Sequence, residues 1–132
     1  KESDVPAAVK NAFSSMYPSA SAVKWEMENS KYEAEFKESG TETSVIFDVS
    51  GTHVQTEVEI PVKFLPEAVG QYVSKNLAGE NIKEATKITQ ANGTITYEAE
   101  IGKNDYLFDA TGGFLKKDSD GPDDKDDDNS KK

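Results

Sequence analysis

Two pairs of glutamates have the type and spacing to do chemistry: Glu33 with Glu35, and Glu98 with Glu100. Along an extended strand, residues two apart project from the same face, about 7 Å from each other. Glycoside hydrolysis needs two carboxyl groups flanking the sugar bond. It also needs a cleft and aromatic side chains for the sugar to stack on. Here Trp25, Tyr32, Phe36, Phe47, Tyr97 and Phe108 all fall on the apolar phase of the pattern, so a carboxylate-based hydrolase is the weakest of the readings. A second acidic pair, Asp48 and Asp109, could be catalytic or metal-binding. Each stands three residues before a glycine, in Asp48-Val49-Ser50-Gly51 and Asp109-Ala110-Thr111-Gly112. That is also a tight-turn signature: the carboxylate accepts local backbone N–H bonds, and the glycine supplies the positive φ that closes the hairpin. Turn geometry is sufficient reason for both aspartates. His53 is the only histidine. The Ser and Asp near it are turn residues, and no nucleophile motif surrounds it. No catalytic residue is therefore assigned.

Metal chemistry has little to work with. There is no cysteine, which excludes disulfides and thiolate sites. With one histidine, a zinc site would need carboxylates for most of its ligands. Asp118 to Asp128 carries oxygen ligands at alternate positions, which suggests calcium, but lacks the terminal Glu and spacing of a twelve-residue calcium loop. A run of like charge there reads as a disordered, solvating tail over 118–132. No metal and no cofactor is expected.

The 132 residues carry 15 basic and 25 acidic side chains, a net charge of −10. Residues 118–132 hold seven Asp and three Lys, or −4, so the remaining body is −6. An acidic body argues against nucleic acid and anionic membranes, since both need a cationic surface. No apolar run approaches the ~20 residues of a membrane span, so no membrane insertion is expected. The sequence starts at Lys1 with neither Met nor an apolar leader, which fits either a mature chain whose export signal has been removed or a domain cut from a longer chain; export is the expectation.

The elements that would position the glutamates come in two sets. Val5, Ala8, Val9, Ala12, Phe13, Met16 and Tyr17 form one apolar helical stripe, with Pro6 at its start and Pro18 at its end. Leu65, Ala68, Val69, Tyr72, Val73 and Leu77 form another, between Pro66 and Gly79. After each stripe the period changes to two. Val23-Trp25-Met27, Tyr32-Ala34-Phe36 and Val54-Thr56-Val58-Ile60 alternate with polar residues, and Val45-Phe47-Val49 alternates with Ile46 and Asp48. The second set repeats this through Ile95-Tyr97-Ala99-Ile101 and Tyr106-Phe108, between flanking strands at Ile88 and Phe114. Such strands bury one face and wet the other. Asn29-Ser30-Lys31, Ser39-Gly40, Asn92-Gly93 and Lys103-Asn104-Asp105 read as hairpin links.

The two sets match. Val5-Pro6-Ala7-Ala8-Val9 corresponds to Leu65-Pro66-Glu67-Ala68-Val69, Tyr32-Glu33-Ala34-Glu35-Phe36 to Tyr97-Glu98-Ala99-Glu100-Ile101, and Ile46-Phe47-Asp48-Val49-Ser50-Gly51 to Leu107-Phe108-Asp109-Ala110-Thr111-Gly112. Three matches in the same order point to a duplication. The expected fold is α+β: two tandem repeats over 1–61 and 62–117, each one helix plus about four antiparallel strands, with the helices packed on one face of a curved sheet. Two separate sheets packed through their helices are the alternative.

The Asp-x-x-Gly turn followed by an apolar strand resembles the ending of PepSY modules. With the Val-Pro-Ala-Ala-Val opening, the Tyr-Glu-Ala-Glu strand and the tandem arrangement, residues 5–117 look like the PepSY-like proteins of Bacteroidetes, which are similar in fold to the β-lactamase inhibitor protein. The resemblance implies a secreted or periplasmic, non-enzymatic protein with a concave sheet surface. In the inhibitor that surface grips a protein partner. No inhibitory motif is shared residue by residue, and the absence of cysteine departs from the disulfide-bearing inhibitor.

The wet sheet face is then the candidate site, with Lys24, Glu26, Glu33, Glu35, Glu57, Glu98 and Glu100 as its binding residues. An acidic surface steers cationic partners to itself, so the expected partner is a basic protein or peptide. A solvated face that protects the sheet from edge pairing, on a structural or accessory protein of the envelope, is the other reading. The sequence does not specify an oligomeric state.

Overall fold

The computed structural model describes residues 2–119. A 3-10 turn (Glu2–Asp4) leads into helix α1 (Ala7–Met16), which is followed by β1 (Lys24–Glu28), β2 (Lys31–Glu38), β3 (Thr41–Asp48) and β4 (His53–Ile60). A second 3-10 turn (Val62–Phe64) precedes α2 (Glu67–Asn76), β5 (Ile82–Gln90), β6 (Ile95–Ile101), β7 (Asn104–Asp109) and β8 (Phe114–Ser119). The fold is α+β, with two helices and one open, antiparallel eight-stranded sheet in sequence order. That sets aside the alternative of two separate sheets. The described residues divide into two compact units, 2–59 with 88–94, and 60–87 with 95–119.

Both helices begin at a proline for the same reason. Pro6 and Pro66 sit just outside the first turn in extended geometry, ψ 147° and 146°. Their carbonyls accept the first helical bonds, from Val9 and Val69, and a proline there gives up no needed N–H. In the first unit Val9 and Phe13 of α1 bury against Ala34, Phe36, Val45 and Phe47 of β2 and β3. Phe13 makes edge-on contacts with Trp25, Phe36 and Phe47 at 5.2–6.5 Å between ring centres. The second unit packs Val69 and Val73 of α2 on Ala99, Ile101, Tyr106 and Phe108, with Tyr72 stacked on Phe114 at 4.8 Å.

Both Asp-x-x-Gly segments are turns. Oδ1 of Asp48 accepts bonds from the Ser50 amide (2.9 Å), the Ser50 hydroxyl (2.6 Å) and the Thr52 amide (3.1 Å). Asp109 Oδ1 accepts the matching set from the Thr111 amide (3.0 Å), the Thr111 hydroxyl (2.8 Å) and the Gly113 amide (2.8 Å). These bonds hold both carboxyls below the usual aspartate range. For Asp48 the Ser50 hydroxyl contributes most, and for Asp109 the Gly113 amide. Gly51 and Gly112 have φ of +90° and +97°. A methyl group on Gly51 would also lie 2.6 Å from the Ala8 carbonyl, and one on Gly112 would lie 2.8 Å from the Ala68 side chain. Each glycine thus closes its hairpin and lets it seat against its helix.

Four local expectations change. Met27 and Val49 share the apolar phase yet are 66% and 58% exposed, because Met27 is on the outermost strand and Val49 is in the Asp48 turn. Phe114, on the same phase, keeps 42% of its surface exposed on the other outer strand. Asn104 and Asp105 belong to β7 rather than to a link, since Gly102, at φ +64°, already turns the chain. Strand β8 runs through Asp118 and Ser119. The rest of the acidic tail, with its suggestion of calcium, lies outside the described residues.

Candidate functional site

Strand register places the first unit's polar side chains in rows across the sheet. Lys24 pairs with Glu35, Glu35 with Ser44, and Ser44 with Glu57. The adjacent row runs Glu26, Glu33, Ile46, Gln55. Two-residue alternation puts both rows on the face opposite Ala34, Phe36, Val45 and Phe47. Five of the expected residues, Lys24, Glu26, Glu33, Glu35 and Glu57, are therefore brought together on one face of β1–β4. Glu26 and Glu33 are direct cross-strand partners, a like-charged pair.

The cost of this arrangement is visible in the carboxyls. Burial pushes Glu33 above its ordinary value of 4.5, and the charges of Glu57, Glu35 and Glu26 push the same way against a hydrogen bond with Ser44. Glu57 is raised by burial first and by Glu35 next, opposed by a hydrogen bond from Gln55. Gln55 Nε2 donates to Glu57 Oε2 at 2.7 Å, and Gln90 Nε2 donates to Gln55 Oε1 at 3.1 Å. These amides fix the Glu57 carboxylate without neutralising it.

Glu98 and Glu100 lie in the second unit, on β6. Glu98 is opposite Leu107 and Glu100 opposite Asp105, which in turn faces Asp118 of β8. Burial raises the Asp105 carboxyl, Glu100 and Asp118 add to the effect, and a hydrogen bond with Glu98 opposes it. Lys116 Nζ lies 3.9 Å from Asp118, with both side chains largely exposed, a geometry of little energetic weight.

Asp105 and Ser44 join the polar faces without having been singled out in the sequence, and Asp118, read there as the start of the acidic tail, pairs with Asp105 on β8. Asp105 was hidden by its assignment to a link. The available signal was phase, because it stands two before Leu107 and out of step with Tyr106 and Phe108. Ser44 carries no charge, so a search for titratable pairs passes over it. His53 lies on the other side of the sheet, its ring 6.0 Å from that of Phe47 and its Nε2 2.8 Å from the Thr56 hydroxyl. Among the described residues, no group of three or more His, Cys, Asp or Glu could hold a metal ion.

A family described as "Putative beta-lactamase-inhibitor-like, PepSY-like" matches residues 1–51 and 32–116. The chain belongs to this PepSY-like family. Among solved structures, a BLIP-like protein from Bacteroides fragilis is 28% identical, with 89% of this chain and 90% of that one aligned at a TM-score of 0.68. A DUF2874 family protein from Bacteroides uniformis is 25% identical, over 86% and 88% of the two chains, at 0.78. A Bacteroides eggerthii protein described as a "putative periplasmic" protein shares the fold at 21% identity, 87% and 88% coverage and 0.78. No curated protein matches the chain. These PepSY-like relatives are not described as enzymes. No helix among the described residues is long and apolar enough to cross a membrane.

Proposed function

We propose that the chain is an exported, non-catalytic binding protein whose acidic sheet face takes a basic protein or peptide. The carrying observation is the crowding of Glu33 and Glu57 among like charges. A solvated face has no need of half-buried carboxylates aligned in register with other carboxylates, and it would be more stable without them. A cationic partner supplies the missing counter-charge. The family description and the BLIP-like relative support the inhibitor-like, protein-binding class; the periplasmic description of the B. eggerthii protein supports export.

Two tandem repeats underlie the arrangement in this reading. The Asp48 and Asp109 turns carry the same set of bonds, and each is preceded by a register shift at the same place, between Ile46 and Phe47 and between Leu107 and Phe108. Duplication then accounts for Glu33 and Glu35 recurring as Glu98 and Glu100 on equivalent strands. The experiment is affinity capture from an envelope extract with the native chain and with a Glu33→Lys, Glu35→Lys, Glu98→Lys, Glu100→Lys variant, each checked for an unchanged circular dichroism spectrum. The native chain should retain a basic partner that the variant loses. Identical captures would sink the proposal.

A further inference from the structure

We propose that the free edge of β1 is a self-complementary strand that docks a second copy of the chain. Strand β1 ends the sheet order and pairs only with β2, so one side of its backbone is open for strand addition. Its side chains are also open: Lys24, Glu26, Met27 and Glu28 are exposed, and Met27 keeps 66% of its surface. Native edges are protected by charge unless the charges find partners.

On β1 they can find them in another β1. An antiparallel pair with its two-fold axis at Trp25 sets Lys24 opposite the second copy's Glu26, and Glu26 opposite the second copy's Lys24. Both ion pairs fall on the polar face. On the other face Trp25 meets Trp25, and Val23 meets Met27. Every cross-strand pair in this register is a favourable type, either opposite charges or apolar with apolar. Moving the axis to Glu26 sets that glutamate against itself. The sheet's other outer strand offers no comparable register, since an axis at Lys116 or at Lys117 faces that lysine with itself. Ala22, at φ +54°, ends the extended backbone, so the contact spans Val23–Met27 in each copy. A strip of this length buries much less than the ~1,000 Å² of a stable interface, so the dimer is weak and concentration-dependent. Lys24 and Glu26 also belong to the acidic face, but the inference does not rest on that face's proposed role, because its readout is self-association and not capture of a basic partner.

Sedimentation equilibrium from micromolar to millimolar chain tests it. The average mass should climb from 14.4 kDa toward twice that value. Lys24→Glu alone and Glu26→Lys alone each place like charges opposite one another and should hold the chain monomeric. The double variant Lys24→Glu/Glu26→Lys restores both ion pairs and should restore the dimer, a result that general electrostatics cannot mimic. Lys116→Glu, on the other outer strand, should dimerise as the native chain does. A native chain that stays monomeric at millimolar concentration would overturn the proposal. So would single variants that associate like the native chain, a double variant that remains monomeric, or loss of the dimer in Lys116→Glu.

Discussion

Glu33→Gln should stabilise the protein at neutral pH. Glu33 is half-buried, faces Glu26 directly across β1–β2, and feels Glu35 on its own strand and Glu57 across β3. Glutamine keeps the shape of the side chain and can still accept the Ser44 hydroxyl. What it removes is a charge that burial and three neighbouring carboxylates all oppose. A directly opposed charged pair is worth about 0.2–1 kcal/mol. Adding the weaker neighbours and the relief of desolvation gives a gain of about 0.5–1.5 kcal/mol, within the usual range for surface-charge optimisation. For a domain of this size that is roughly 2–6 °C in Tm. The sign depends on pH. The folded-state pKa lies above the ordinary 4.5, so stability from the neutral carboxyl is full below the unfolded value and is lost as pH rises through the folded one. The variant's advantage should therefore be absent below about pH 4.5 and grow above it. Thermal unfolding monitored by circular dichroism across that range measures it. Equal or lower Tm at pH 7, or a gain that persists unchanged in acid, would refute the reasoning.

Glu57→Gln should behave the same way, since burial and Glu35 raise its carboxyl too, and differential scanning calorimetry would register a higher Tm at neutral pH. The turn aspartates should show the opposite trend. Asp48 and Asp109 are depressed below 3.8, so their contribution is present above the unfolded value and lost as pH falls through the folded one. Asp109→Ala should lower stability at neutral pH and flatten the acid limb of a Tm-against-pH curve. Gly112→Ala must place a side chain at φ +97° and 2.8 Å from Ala68. Gly40→Ala meets only the conformational cost at φ +81°, with nothing within 4 Å, about 1–2 kcal/mol. Urea unfolding should show Gly112→Ala to be clearly the worse of the two. Phe108→Ala empties a fully buried site and should cost about 3–5 kcal/mol by the same assay.

Much of the fold was legible because its signals are local and redundant. The apolar stripes sit between a proline and a stop signal, and both helices formed there. Glycine three residues after Asp48 and Asp109 announced the hairpins through required backbone geometry. Exposure was less legible, because alternation reveals a side chain's face and not whether anything covers it. Met27 and Trp25 share a face, but Trp25 packs against Phe13 of α1 while Met27 is left largely in solvent at the edge of the sheet. The acidic face was legible as a list of glutamates from their phase. Its energetics were not, because they depend on register. Only the pairing of β1 with β2 sets Glu26 against Glu33, and only the pairing of β3 with β4 sets Glu57 beside Ser44. The role of Asp105 waited on the position of a turn, which a shift of one or two residues was enough to obscure.

The central claim is that the first unit's acidic face holds its carboxylates under repulsion that a cationic partner relieves. Carbon-detected NMR titration of the glutamate carboxyls, with and without a lysine-rich peptide, tests it most directly. In the free chain Glu33 and Glu57 should titrate above 4.5. The peptide should bring both down. A peptide that leaves Glu33 and Glu57 unmoved, or a free chain in which both titrate at or below 4.5, would contradict the account.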